Sequence, residues 1–170
     1  MELYKARRND YDAYPPHLQW VEGYPLQYKG CCYICPKPYL QFHGYSGEKE
    51  VKGMTFGFGN FVYVDEKTLC QDTEFTDANG TKIYTNNIVD FYGQRGVVMY
   101  EYGTFGIGFE QPIDWNYIMD SREDKSYFAF NDHFVSMYEI MENDCLDKIT
   151  VLGDIINTPE LSQIENVEGK

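Results

Sequence analysis

Residues 77–109 read DANGTKIYTNNIVDFYGQRGVVMYEYGTFGIGF, and this stretch decides the fold. Asp77-Ala78-Asn79-Gly80 is the clearest turn in the chain, because Asn-Gly supplies the positive φ angles of a tight reversal. Three β-rich segments follow: Ile88–Tyr92, Val97–Tyr100 and Phe105–Phe109. Gly93-Gln94-Arg95-Gly96 separates the first two and Gly103 precedes the third. Such regular spacing predicts an antiparallel meander curling into a small barrel. The last segment places Phe105, Ile107 and Phe109 on one face and Gly106 and Gly108 on the other. Bare glycine on a strand face admits a second backbone or a bulky side chain.

Upstream, Trp20–Tyr24 and Leu26–Tyr28 predict a strand that Pro25 restricts to an edge or a bend. Cys31–Ile34 predicts a second strand, stopped by Pro36. Residues 43–60, with five glycines, predict a loop, and Phe61–Val64 a strand. Downstream, Tyr127–Phe130 predicts a strand. Residues 132–145 fit both periods, and a helix capped by Asp132 or Asn131 is the expectation. Ile149–Ile155 reads as a strand, and Thr158-Pro159 opens a short helix. The expected organisation is an N-terminal β-extension with a Gly-rich loop over 1–60 and a barrel domain over 61–164. An acidic insertion at 111–148 and a disordered tail at 165–170 complete it.

At 170 residues the chain is long enough to bury a sizeable core without disulfide or metal staples. The net charge is −13. That argues against sequence-independent binding to nucleic acid and against a polybasic membrane anchor. The charge is uneven. Residues 1–70 hold eight basic and eight acidic side chains, 71–110 two and six, 111–170 four and thirteen. No apolar run is long enough to span a membrane, and the charged N-terminus carries no secretory signal, so the expected compartment is the cytoplasm.

The chemistry-bearing motifs are few. Cys32-Tyr33-Ile34-Cys35 has C-x-x-C spacing, but a zinc site would need two more ligands from Cys70, Cys145, His17, His43 or His133. The pair lies in strand-like sequence, so buried small apolar side chains are the expected role. No G-x-S-x-G, phosphate-binding loop or dinucleotide fingerprint occurs, so no catalytic residue, metal or cofactor is expected. The acidic stretch includes Asp114, Asp120, Glu123, Asp124, Asp132, Glu139, Glu142, Asp144, Asp147 and Asp154. A solvated surface is one reading. Docking of a partner's basic patch is the sharper one, with Asp114, Asp120, Glu123, Asp124, Glu139, Glu142, Asp144 and Asp147 as its candidate residues.

Residues 64–92 resemble the YopX family of phage and prophage proteins. The matching positions are Thr68, Gln71, Thr73, Asp77, Asn79, Gly80, Ile83, Tyr84, Ile88 and Val89. A second block is similar to the family's closing motif, at Val151, Gly153, Asp154, Ile155, Asn157, Pro159, Glu160 and Leu161. The strand beginning Trp20-Val21-Glu22-Gly23-Tyr24 resembles the opening of many members. Two positions depart: Thr73–Asp77 stands where the family has T-G-L-x-D, and Asn87 where it has an acid before I-V. The resemblance implies an all-β fold with a small SH3-like barrel, to which the residues add the N-terminal β-extension and the short C-terminal helix. It implies no established catalysis and no cofactor. Asp77, Asn79, Gly80, Gly153 and Pro159 are then structural. The expected function is that of a non-enzymatic phage or prophage accessory protein that binds a host or phage protein with a basic surface. The alternative is an acidic, nucleic-acid-mimicking inhibitor of a host defence or DNA-handling enzyme. A homo-oligomer is compatible with either.

Overall fold

The computed structural model describes residues 2–36, 42–46, 49–54, 61–121 and 131–162, with 42–54 as backbone alone. The chain is mostly β and divides into two compact units, Met1–Asp72 and Thr73–Lys170.

In the first unit, β1 (Tyr4–Arg7) is followed by two 3-10 turns, Tyr11–Ala13 and Pro16–Leu18. Next come β2 (Trp20–Tyr28) and β3 (Cys31–Pro36), joined at Lys29-Gly30, both with positive φ, the conformation of a tight hairpin turn. Pro25 lies beyond Gly23, the last residue of β2 paired with β1. There β2 has a partner on one side only, so proline's missing N–H removes no ladder bond. The expected Gly-rich loop contains a hairpin, β4 (Phe42–Ser46) with β5 (Lys49–Met54). Ladder bonds use the main chain, so glycine content alone does not forbid pairing.

β6 (Val62–Val64), grouped with later residues in the sequence reading, pairs with β3. A 3-10 turn at Glu66–Thr68 leads into β7 (Cys70–Thr76), whose first residues pair with β1. The order is β6-β3-β2-β1-β7, all antiparallel. The sheet curls until Arg8 bridges Val64 and Asn9 N donates to Tyr63 O at 3.1 Å. Its concave side holds Ala6, Val21, Cys32, Ile34 and Val64. What reads as an N-terminal extension therefore has its own apolar core.

In the second unit, Thr73–Thr76 runs beside β8 (Lys82–Tyr84), and Thr73 Oγ1 donates to Ile83 O at 2.7 Å. Then follow β9 (Asn87–Phe91), β10 (Gln94–Glu101) and β11 (Thr104–Gly108), as the meander predicts. A short helix α1 (Trp115–Asp120), the strand β12 (Phe134–Ser136), a helix α2 (Met137–Glu142) and β13 (Ile149–Asp154) complete the unit. A 3-10 helix at Pro159–Ser162 stands where the short C-terminal helix is expected. The sheet order is β12-β11-β10-β9-β13. Ile83, Val89, Phe91, Val98, Ile107, Ile118, Val135, Met137, Ile140 and Ile149 fill its core.

The two units repeat one plan. In each, four antiparallel strands take neighbouring places in chain order, with the β4–β5 hairpin or helix α1 before the fourth, and a fifth returns beside the first after a 3-10 turn. The second and third strands join at a residue-plus-glycine pair with positive φ, Lys29-Gly30 and Tyr102-Gly103.

Residues 132–145 are strand first and helix second. Ser136 is the hinge. Its hydroxyl accepts from Glu139 N at 3.1 Å, and the Glu139 carboxylate accepts from Ser136 N at 3.1 Å, a capping box. The cap is thus Ser136, not Asp132 or Asn131. The expected strand at 127–130, and all of the tail at 165–170, fall outside the described residues.

Candidate interaction surface

Motif residues come first, because they set what is left for a partner. Asp77 is buried, and its carboxylate accepts from Asn79 N and Thr81 N at 2.8 Å each and from Val151 N at 3.0 Å. Gly80 N closes the turn on Asp77 O at 3.0 Å, with Gly80 at φ 78°. Ala78 N also donates to Ile149 O at 3.0 Å, so this turn covers the free edge of β13. Burial alone would raise the Asp77 pKa. The N–H groups of Val151, Thr81 and Asn79, with the Thr81 hydroxyl, outweigh it and hold the carboxyl below its ordinary value.

At the other motif, a β-bulge lies between Val151 and Gly153. A Cβ on Gly153 would run into the Thr158 hydroxyl and approach Leu161. Asp154 accepts from Ile156 N at 3.0 Å and Asn157 N at 2.8 Å, and Pro159 starts the closing 3-10 helix. Buried Asn87, one of the two departures, accepts from Tyr84 N at 2.7 Å and donates to Gly153 O at 3.3 Å. These side chains hold the fold.

The cysteine pair separates. β3 runs without a bulge, so Cys32 and Cys35, three residues apart, point to opposite faces of the sheet. One ion cannot bridge them there, and burial pushes both thiols up. Among the described residues no three metal-ligating side chains gather.

The candidate acids fall into three groups. Asp114, Glu139 and Asp147 are engaged locally. Asp114 caps α1 by accepting from Tyr117 N at 3.0 Å, Glu139 closes the capping box, and Asp147 pairs with Lys148 at 2.6 Å. The last pair is exposed and contributes little to stability. Glu123 and Asp124 lie outside the described residues. Asp120, Glu142 and Asp144 are exposed, and their carboxylates make no hydrogen bond or ion pair among the described residues.

Asp144 sits at φ 54°, just past α2, while Cys145 N donates back to Ile140 O at 2.9 Å. That left-handed position after a helix favours glycine. A carboxylate there is held at some backbone cost.

The same two helices carry large exposed side chains whose exposure the sequence reading did not predict. Helix α1 buries Trp115 and Ile118 and turns Tyr117 outward; α2 buries Met137 and Ile140 and turns Tyr138 and Met141 outward. Tyr117 and Tyr138 are 57% and 61% exposed. The i, i+3 spacing of the buried pairs is the signal that could have found them. Replacing Ser136 with alanine removes the cap, and a loss of about 1 kcal/mol is expected in urea denaturation.

Among the described residues no helix is long and apolar enough to cross a membrane. No protein-family model matches the chain, and no curated protein matches it.

Proposed function

We propose that the chain is a YopX-like, non-enzymatic phage or prophage accessory protein that binds a partner protein in the host cytoplasm. One observation carries this reading. On α1 exposed Tyr117 stands one turn from Asp120, and on α2 exposed Tyr138 and Met141 stand by Glu142, with Asp144 just past its end; the fold uses none of these three carboxylates. Tyrosine and methionine are favoured in interface centres, and unengaged carboxylates supply the complement to a basic surface. The SH3-like barrel belongs to the same proposal. The five-strand order whose last strand returns beside the first, in both units, and the curl of the first unit's sheet support it. The motif residues support it too: Asp77, Asn79, Gly80, Gly153 and Pro159 are spent on turns, a strand edge and the closing 3-10 helix, and Ile83, Ile88 and Val89 on the core.

The test is affinity capture from host lysate at low and at high salt. The expected result is a basic partner released by salt, because exposed charge pairs are screened. A captured nuclease that DNA displaces would identify the partner class as a DNA-handling enzyme and favour nucleic-acid mimicry. Tight binding of DNA by the protein alone would contradict both forms of the proposal.

A further inference from the structure

Asn79 is the one asparagine in the chain followed by glycine. Asparagine is thermolabile, because the main-chain nitrogen of the next residue can attack its carboxamide. Glycine puts no Cβ in the way of that attack, whereas every other asparagine here precedes a larger residue. Asn79 and Gly80 are both exposed. Among the described residues the Asn79 carboxamide makes no hydrogen bond, while those of buried Asn87 and Asn143 are engaged. Nothing lies within 4 Å of where a Gly80 Cβ would stand, so a ring closing there meets no neighbour. What restrains the attack is the turn. Gly80 N, the attacking atom, donates to Asp77 O at 3.0 Å. The N–H groups on either side of it, of Asn79 and Thr81, donate to the Asp77 carboxylate at 2.8 Å each. Gly80 N must give up its hydrogen bond and its proton before it attacks, and the adjacent carboxylate disfavours the anion that forms.

We propose that Asn79 is a site of spontaneous covalent modification, converted to isoaspartate and aspartate through a succinimide ring with Gly80, at a rate set by opening of the Asp77 turn. The step needs only hydroxide and water. Hydroxide removes the Gly80 N–H proton. The nitrogen forms a bond to Asn79 Cγ, and the bond from Cγ to the amide nitrogen breaks, releasing ammonia. Water then opens the ring. Cleavage at Cγ gives aspartate; cleavage at the Asn79 main-chain carbonyl gives isoaspartate, whose main chain runs through the side-chain carbon. That chain is longer by a methylene inside a tight turn, so Gly80 N and Thr81 N no longer both reach Asp77. Ala78 N, which covers the edge of β13 through Ile149 O, loses its place with them. Modification at Asn79 therefore softens the second unit at a protected sheet edge.

The experiment is timed incubation of the full chain at mildly alkaline pH under reducing conditions, native and in guanidinium chloride, followed by trypsin digestion and mass spectrometry. The peptide between Lys67 and Lys82 contains no asparagine but Asn79. Conversion adds the mass difference between OH and NH2, and fragment ions place it at position 79. The expected result is conversion at Asn79 ahead of every other asparagine in the native protein, at least about tenfold slower than in denaturant. Asp77→Asn removes the charge and loosens the turn. It is expected to speed native conversion at least about tenfold, and to raise hydrogen exchange at the Gly80 amide by a similar factor. Both reactions need the same N–H opened and deprotonated. Gly80→Ala restores a Cβ beside the attacking nitrogen, so conversion slows in denaturant too, where the fold plays no part. Native protein that stays unconverted long after the denatured sample is complete would overturn the proposal. Conversion as fast native as denatured, or a folded Asp77→Asn variant that converts no faster, would do the same.

Discussion

Replacing Asp77 with alanine is expected to lower the stability of the second unit by about 3–5 kcal/mol. Asp77 is 6% exposed, and its carboxylate accepts three main-chain N–H groups. Two belong to the turn and one to β13, so the loss opens both the turn and the strand edge it covers. Asp77→Asn keeps an acceptor oxygen without the charge, and about half the loss is expected. The pH dependence has a defined sign. The folded pKa is below the unfolded one, so the stabilisation is complete above the unfolded value of about 3.9 and disappears as pH falls through the folded value. Asp77→Asn removes that acid limb. The measurement is urea denaturation from acidic to neutral pH, followed by Trp115 emission in a Trp20→Phe background.

Replacing Gly106 with alanine is expected to cost about 3 kcal/mol, and valine more. A Cβ at Gly106 would collide with the Phe134 ring and with the Val135 carbonyl oxygen, about 2.5 Å away. The ring can turn aside. The carbonyl is part of β12, paired to β11 through Gly106–Ser136 and Ile107–Val135, so β12 itself must shift. Phe134→Leu should therefore rescue the variant only in part. Gly103→Ala is the control. Nothing lies near its Cβ, and its φ of 80° predicts a penalty of about 1 kcal/mol. Hydrogen exchange at Val135 distinguishes the two, rising sharply for Gly106→Ala and little for Gly103→Ala.

The sequence was most legible where local chemistry and global fold agree. Asn79-Gly80, Gly93 and Gly103 mark reversals by backbone preference alone, and the strands between them alternate cleanly. The glycine face of β11 was read correctly for the same reason: Gly106 admits Phe134, and Gly108 admits Met99. Pairing over long separations was not legible. Val62–Val64 finds Cys32–Ile34 across an intervening hairpin, and no local signal announces that partner. Residues 132–145 carried two periods at once, and the Ser136–Glu139 box decided where one gave way to the other.

The candidate surface was half legible. Eight carboxylates look alike in sequence, yet Asp114 and Glu139 are spent on caps, while Asp120, Glu142 and Asp144 stay free for a partner among the described residues. Only the geometry of the helix ends separates them. Tyr117 and Tyr138 stand out only once the buried pairs Trp115–Ile118 and Met137–Ile140 fix which side of each helix faces outward.

The most direct measurement is affinity capture from host lysate with the wild type and an Asp120→Asn, Glu142→Gln, Asp144→Asn variant side by side. The three positions are exposed, so the variant should unfold at the same urea concentration as the wild type. The account predicts that a basic protein retained by the wild type at low salt is lost from the variant. Equal retention by both, or a wild type that retains no basic protein, would contradict it.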